Sequence, residues 1–115
     1  MVIIHENKNG IIQIVIKGRL DADTAPQADK SIREIVGRQN MRLLFDLGEL
    51  EYISSAGLRL ILQAAKRVCS QGGQIVLCCS NEMLREILQS TKLPIADSVA
   101  AGIEKFAQNV DHACD

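Results

Sequence analysis

The feature that most limits the fold of this chain is alternation. Short, β-branched apolar runs trade places with longer stretches whose apolar residues recur at helical spacing. Residues 11–17, 42–47 and 74–79 have the length and composition of strands, and residues 2–6 make a further short one. Gly10 marks a turn, so the first two strands read as a hairpin. Ala28, Ile32, Ile35 and Val36 lie on one helical face between residues 25 and 37. Leu58, Ile61, Leu62, Ala65 and Cys69 form a core stripe on a helix from Ser55 to Ser70. Leu84, Ile87 and Leu88 mark a third helix. Val99, Ile103, Phe106, Ala107 and Val110 mark a fourth, and Ile95 sits in a short last strand. The order β-β-α-β-α-β-α-(β)-α implies an α/β domain. Its sheet is expected to have four to five strands, mostly parallel, with an antiparallel first hairpin and about four helices.

Local signals set the boundaries. Thr24-Ala25-Pro26-Gln27 fits a capping box with proline in the first turn. Gly48 to Ser54 reads as a loop, and Gly72-Gly73 as a turn. Ser80 or Asn81 can cap the third helix, and Asp97 or Ser98 the fourth. Gly102 inside the last helix costs about 1 kcal/mol relative to alanine. One domain is expected over residues 1–110, with a frayed tail at 111–115.

The 115 residues carry 13 basic and 14 acidic side chains, a formal charge of −1. Such a balance leaves no footprint for nonspecific nucleic-acid or anionic-membrane binding. Tyr52, Phe45 and Phe106 are the only aromatic residues, too few for base stacking. No apolar run approaches a membrane span, and residues 1–6 do not resemble a signal peptide, so a cytoplasmic location and no membrane insertion are expected. Cys69, Cys78, Cys79 and Cys114 form no C-x-x-C, and His5 and His112 lie at opposite ends. The cysteines therefore read as small apolar residues rather than metal ligands. Asp21-Ala22-Asp23 begins like a calcium loop, but Ala25, Pro26 and Ile32 occupy positions that such a loop needs for other residues. No phosphate-binding loop is present. No cofactor and no catalytic residue is expected.

The informative segment runs from Asp46 to Leu62. A strand ends at Asp46-Leu47, a loop presents Ser54 and Ser55, and a helix begins. A serine here can accept from the unpaired N–H groups of the first helical turn. The same place tolerates an added anion, because the helix dipole and free N–H groups point at it. Two readings stay open on geometry alone: the serines are caps, or one of them is a modification site. Leu60 lies opposite the expected core stripe, near Ala56, Gln63, Ala64 and Arg67. A leucine among small and polar residues beside a modifiable serine suits a reversible docking face. Asp21 reads either as a cap for the loop entering the first helix or as part of an acidic rim. Asp46 closes a strand and is placed to hold the serine loop.

Ile53-Ser54-Ser55-Ala56-Gly57-Leu58, preceded by Asp46-Leu47, resembles the signature of STAS domains, in particular the bacterial anti-sigma-factor antagonists. Gly18-Arg19-Leu20-Asp21 resembles their other recurring segment, and the likeness spans roughly residues 2–108. It implies partner switching. The unphosphorylated domain binds an anti-sigma factor that is also a serine kinase, phosphorylation releases it, and a PP2C-type phosphatase reverses the modification. The phosphoacceptor falls on Ser55. The family pattern has Asp before that serine and Ser or Thr after it, where this chain has Ser54 and Ala56; Ser54 is the alternative acceptor. The docking face implied comprises Asp21, Ser54, Ser55, Ala56, Gly57, Arg59, Leu60 and Gln63. The competing expectation is a docking or ligand-binding subunit of a transport or stress-signalling complex that works without phosphorylation.

Overall fold

A computed structural model describes residues 1–108. β1 (Val2–Lys8) and β2 (Ile11–Leu20) pair antiparallel, with Val2 opposite Lys17 and Lys8 opposite Ile11. Asn9 and Gly10 have φ of 54° and 83°. Two left-handed residues make a tight turn whose twist matches that of the strands it joins. α1 (Ala25–Ile35) leads to β3 (Arg42–Asp46), and β4 (Leu50–Ile53) follows. Then come α2 (Ser55–Ser70), β5 (Gln74–Cys78), α3 (Glu82–Gln89), β6 (Ile95–Ala96) and α4 (Val99–Gln108). The sheet order is β1-β2-β3-β5-β6, with β4 running beside β2 and every pair after the hairpin parallel.

The α/β architecture is as expected, with one strand more. β4 occupies the segment read as a loop. Only Leu50 and Ile53 of its four residues are buried; Glu51 and Tyr52 face out. Two buried residues three apart in a four-residue segment lack the alternation of a strand, so the segment carries no strand signal in the sequence. Pairing with Gly18–Leu20 makes it a strand, and the Arg19 guanidinium lies 4.4 Å from the Tyr52 ring centre.

The pleat divides the core in two. Ile14, Ile16, Leu43, Phe45, Ile75 and Leu77 face α1, α2 and α3, where they meet Ile32, Ile61, Val68 and Leu88. Leu44, Val76 and Cys78 face the other way, against Phe106 of α4. Burying each large side chain contributes about 1.5–3 kcal/mol before entropy is counted. The expected face of α4 needs correction: Phe106 is buried, but Ile103 is exposed and Val99 only half-buried. Val99 and Ala101 still pack against this core from its edge, and Gly102 makes the closest approach. A Cβ there would lie 2.6 Å from the Cys78 sulfur and 3.1 Å from Leu44, so glycine lets α4 sit close on the sheet. The Ala107 side chain, Val110 and the expected tail at 111–115 lie outside the described residues.

The capping box at Thr24 does not form. Thr24 makes no side-chain cap on α1; its hydroxyl donates to the Arg19 carbonyl and accepts from the Asp21 N–H, both at 2.9 Å. Asp21 takes over the turn. Its carboxylate accepts from the N–H groups of Asp23 and Thr24 at 3.0 and 3.2 Å. Thr24 itself has helical backbone (φ −97°, ψ −19°) rather than the extended form of a cap, and its hydroxyl is turned back to the Arg19–Asp21 segment. α3 and α4 start as expected, with Asn81 accepting from the Leu84 N–H and Ser98 from the Ala101 N–H.

Candidate functional site

The site begins where β4 ends. Ser54 has extended backbone (φ −97°, ψ 177°), and its hydroxyl accepts from the Gly57 N–H at 3.4 Å. Its own N–H donates to the Leu20 carbonyl at 2.9 Å, and its carbonyl accepts from Leu58 at 2.9 Å. Ser54 is thus half-buried and committed to the start of α2. Ser55 is the first residue of the helix and is exposed. Among the described residues no hydrogen bond engages its hydroxyl. The two adjacent serines, equivalent by sequence, divide the roles of cap and free hydroxyl.

Gly57 fixes the height of this turn. A Cβ there would come within 2.8 Å of the Leu20 carbonyl oxygen and of Ile53, and 2.9 Å of the Leu20 side chain. Backbone cannot yield cheaply, so the glycine lets α2 rest directly on the Leu20–Asp21 loop. The Ser54–Leu20 hydrogen bond and this contact place the Asp21 turn beside the serine loop. Asp21 also pairs with Arg19 at 3.6 Å. Partial burial works to raise the Asp21 pKa. Hydrogen bonds from Thr24 and Asp23, with the charge of Arg19, outweigh it and hold the carboxyl below its ordinary value.

α1 and α2 flank a groove of about 290 Å³. Ala25, Pro26, Ala56 and Leu60 give it apolar walls, while Asp29, Arg59 and Gln63 stand around them. Asp29 is paired with Arg33 at 2.7 Å. The residues expected to form a docking face therefore separate. Ser55, Arg59 and Gln63 are exposed, Ala56, Ser54 and Asp21 are half-buried, and Gly57 and Leu60 are buried.

Leu60 is a correction. Expected outside the core stripe and exposed, it is 5% exposed and packs in the larger core. The buried stripe of α2 is Gly57, Leu60, Ile61, Ala64, Ala65 and Val68, turned by about one residue from the expected one. Leu62, expected inside, is 41% exposed, and Leu58 and Cys69 are only half-buried. The outward line of the helix is Ser55, Arg59, Leu62 and Lys66, spaced by four, three and four residues. Sequence reasoning missed Leu62 and Lys66.

Asp46, expected to hold the serine loop, instead caps the turn directly after β3. One of its oxygens accepts from the Gly48 N–H at 3.1 Å and the other from Gln13 at 3.4 Å. Cys78 and Cys79 are buried free thiols, and burial above all pushes Cys78 up to about 12. Among the described residues no His, Cys, Asp and Glu cluster is placed to hold a metal ion, and no helix is long and apolar enough to cross a membrane.

This arrangement, a serine-bearing turn seated on the loop after β2 and opening a long helix of a mixed sheet, has the form of a STAS domain. The STAS domain profile matches residues 3–113, and the chain belongs to that family. Its relatives within the family are regulators named for sigma-factor control. BtrV of Bordetella bronchiseptica, named as a candidate anti-sigma factor antagonist, is 31% identical over 102 residues, covering 85% of this chain and 88% of BtrV. The anti-sigma-B factor antagonist of Listeria monocytogenes is 28% identical over 90 residues, covering 78% of this chain and 79% of its own. In fold, the chain is similar to an anti-sigma factor antagonist from Mycobacterium paratuberculosis (TM-score 0.81, 18% identity, 90% and 92% of the two chains covered).

Proposed function

We propose that this protein is an anti-sigma factor antagonist that works by partner switching in the cytoplasm. In its unphosphorylated form it binds an anti-sigma factor with serine-kinase activity and so frees a sigma factor. Phosphorylation of Ser55 releases it, and a PP2C-type phosphatase restores it. The observation that carries this reading is the division between the two serines: Ser54 is engaged as the helix cap, and Ser55 is exposed and unengaged one residue later. The family membership and the antagonist relatives supply the partner class.

The physics of the switch is electrostatic. A phosphate on Ser55 adds about −1.5 to −2 charge at the positive end of a 16-residue helix, so the fold accommodates it. The partner cannot accommodate it so readily. An unpaired charge buried at an interface costs on the order of 3–5 kcal/mol. At about 1.4 kcal/mol per decade, affinity falls roughly a hundredfold or more without a change of fold.

The test is a pair of variants against the anti-sigma factor captured from the host by the Ser55→Ala protein and then purified. Ser55→Ala is expected to bind as tightly as the wild type and to refuse phosphate. Ser55→Asp is expected to bind at least tenfold more weakly. Equal affinity of the two variants sinks the electrostatic switch.

A further inference from the structure

α2 carries Arg59, Lys66 and Arg67 and not one carboxylate, in a chain whose net charge is −1. Among the described residues Lys8, Lys17, Arg19, Arg33 and Arg85 each pair with an acidic side chain, whereas the three α2 cations do not, nor do Lys30, Arg38, Arg42, Lys92 and Lys105. What sets α2 apart is that its cations share one helix with no carboxylate. Arg59 and Lys66 are exposed and stand on either side of the exposed Leu62, on the line that begins with Ser55. A single exposed leucine is ordinary on a protein surface. One flanked by two exposed cations offers an incoming surface both an apolar anchor and two charges to pair. An apolar side chain can cover Leu62 while carboxylates pair with Arg59 and Lys66, which suits an amphipathic helix lying along α2.

The geometry points to an acidic amphipathic helix of the partner as the occupant of the outward face of α2, anchored on Leu62 and paired with Arg59 and Lys66. This deepens the proposed function and rests on it. It gives the phosphate a second way to act. One turn from Arg59, a phosphate on Ser55 pairs with that guanidinium and repels the partner's carboxylates, so the face loses its attraction as well as gaining a charge to bury.

The test uses the full chain and three probes: a synthetic 18-residue helix of Glu and Leu, its Lys–Leu counterpart, and vesicles of anionic lipid. Amide shifts map each contact. The acidic helix is expected to shift amides from Arg59 to Lys66, to bind at least tenfold more weakly to Arg59→Gln/Lys66→Gln, and to weaken steeply as salt rises. The basic helix is expected to leave α2 unmoved. Unchanged melting temperature in the double variant excludes loss of fold as the cause. The inference is overturned if the acidic helix maps elsewhere or binds the double variant equally, and also if only the vesicles engage α2. Two results separate it from the switch. If Ser55→Asp still releases the anti-sigma factor but α2 ignores the acidic helix, the switch stands and this inference fails. If the acidic helix binds α2 and Ser55→Asp changes the affinity of neither partner, the docking face stands and the switch fails.

Discussion

The inner and outer faces of α2 obey different rules. Inside, Gly57, Leu60, Ile61, Ala64 and Val68 are pressed onto the sheet and α1, and the approach at Gly57 is so close that a single methyl group meets backbone. Outside, Ser55, Arg59, Leu62 and Lys66 are exposed. One helix thus separates what the fold needs from what a partner can use. Substitutions inside should change stability, and substitutions outside should change binding and leave stability alone.

The sharpest break in that comparison is between two leucines two residues apart. Leu60→Ala removes buried volume and is expected to cost about 2–4 kcal/mol in chemical denaturation. Leu62→Ala is expected to cost less than about 1 kcal/mol. Equal losses would mean that both leucines are core. Next is Gly57→Ala, whose Cβ overlaps the Leu20 carbonyl and is expected to destabilise by about 1–3 kcal/mol, beyond any gain in helix propensity. A neutral Gly57→Ala would show that α2 does not rest on the Leu20 loop as described.

The serines give the next smaller contrast. Ser54→Ala is expected to cost about 1 kcal/mol by loss of the cap, and Ser55→Ala to fall within about 0.5 kcal/mol of the wild type. The reverse order would exchange their roles and favour Ser54 as the free hydroxyl. At neutral pH the smallest effect belongs to the titration of Cys78 on the opposite side of the sheet. Its thiol pKa is raised from 9.0 to about 12 in the folded chain, so the folded state holds the proton more tightly than the unfolded one. That contribution is complete below pH 9 and is lost as pH rises toward 12. Urea midpoints should therefore fall across that window, and fall less in Cys78→Ala.

Much of this was legible in the sequence because local signals and tertiary packing agreed. The apolar runs became β2, β3 and β5, and the interval from Ser55 to Ser70 became α2. The failures came where the two could disagree. Apolar residues at positions 58, 60, 61, 62, 64, 65, 68 and 69 cover more than half the circumference of α2. Periodicity then leaves the centre of the stripe open by one residue. The placement of α1 and the sheet decides it, which exchanged the expected places of Leu60 and Leu62. At Thr24 the motif was present, but the backbone there is helical and the hydroxyl is engaged by Arg19 and Asp21, which residue identities do not specify. β4 had no pattern to read, since only its two ends are buried. The resemblance drew attention to Ser55, whereas its separation from Ser54 depends on a backbone conformation that residue identities do not specify.

The switch is tested most directly by where phosphate is found. Phosphopeptide mass spectrometry on the protein isolated from its native host, with phosphatases inhibited, should place a phosphate on Ser55 under at least one growth or stress condition. Phosphate confined to Ser54, or none across all conditions, would contradict the claim that the exposed serine opening α2 is the switch.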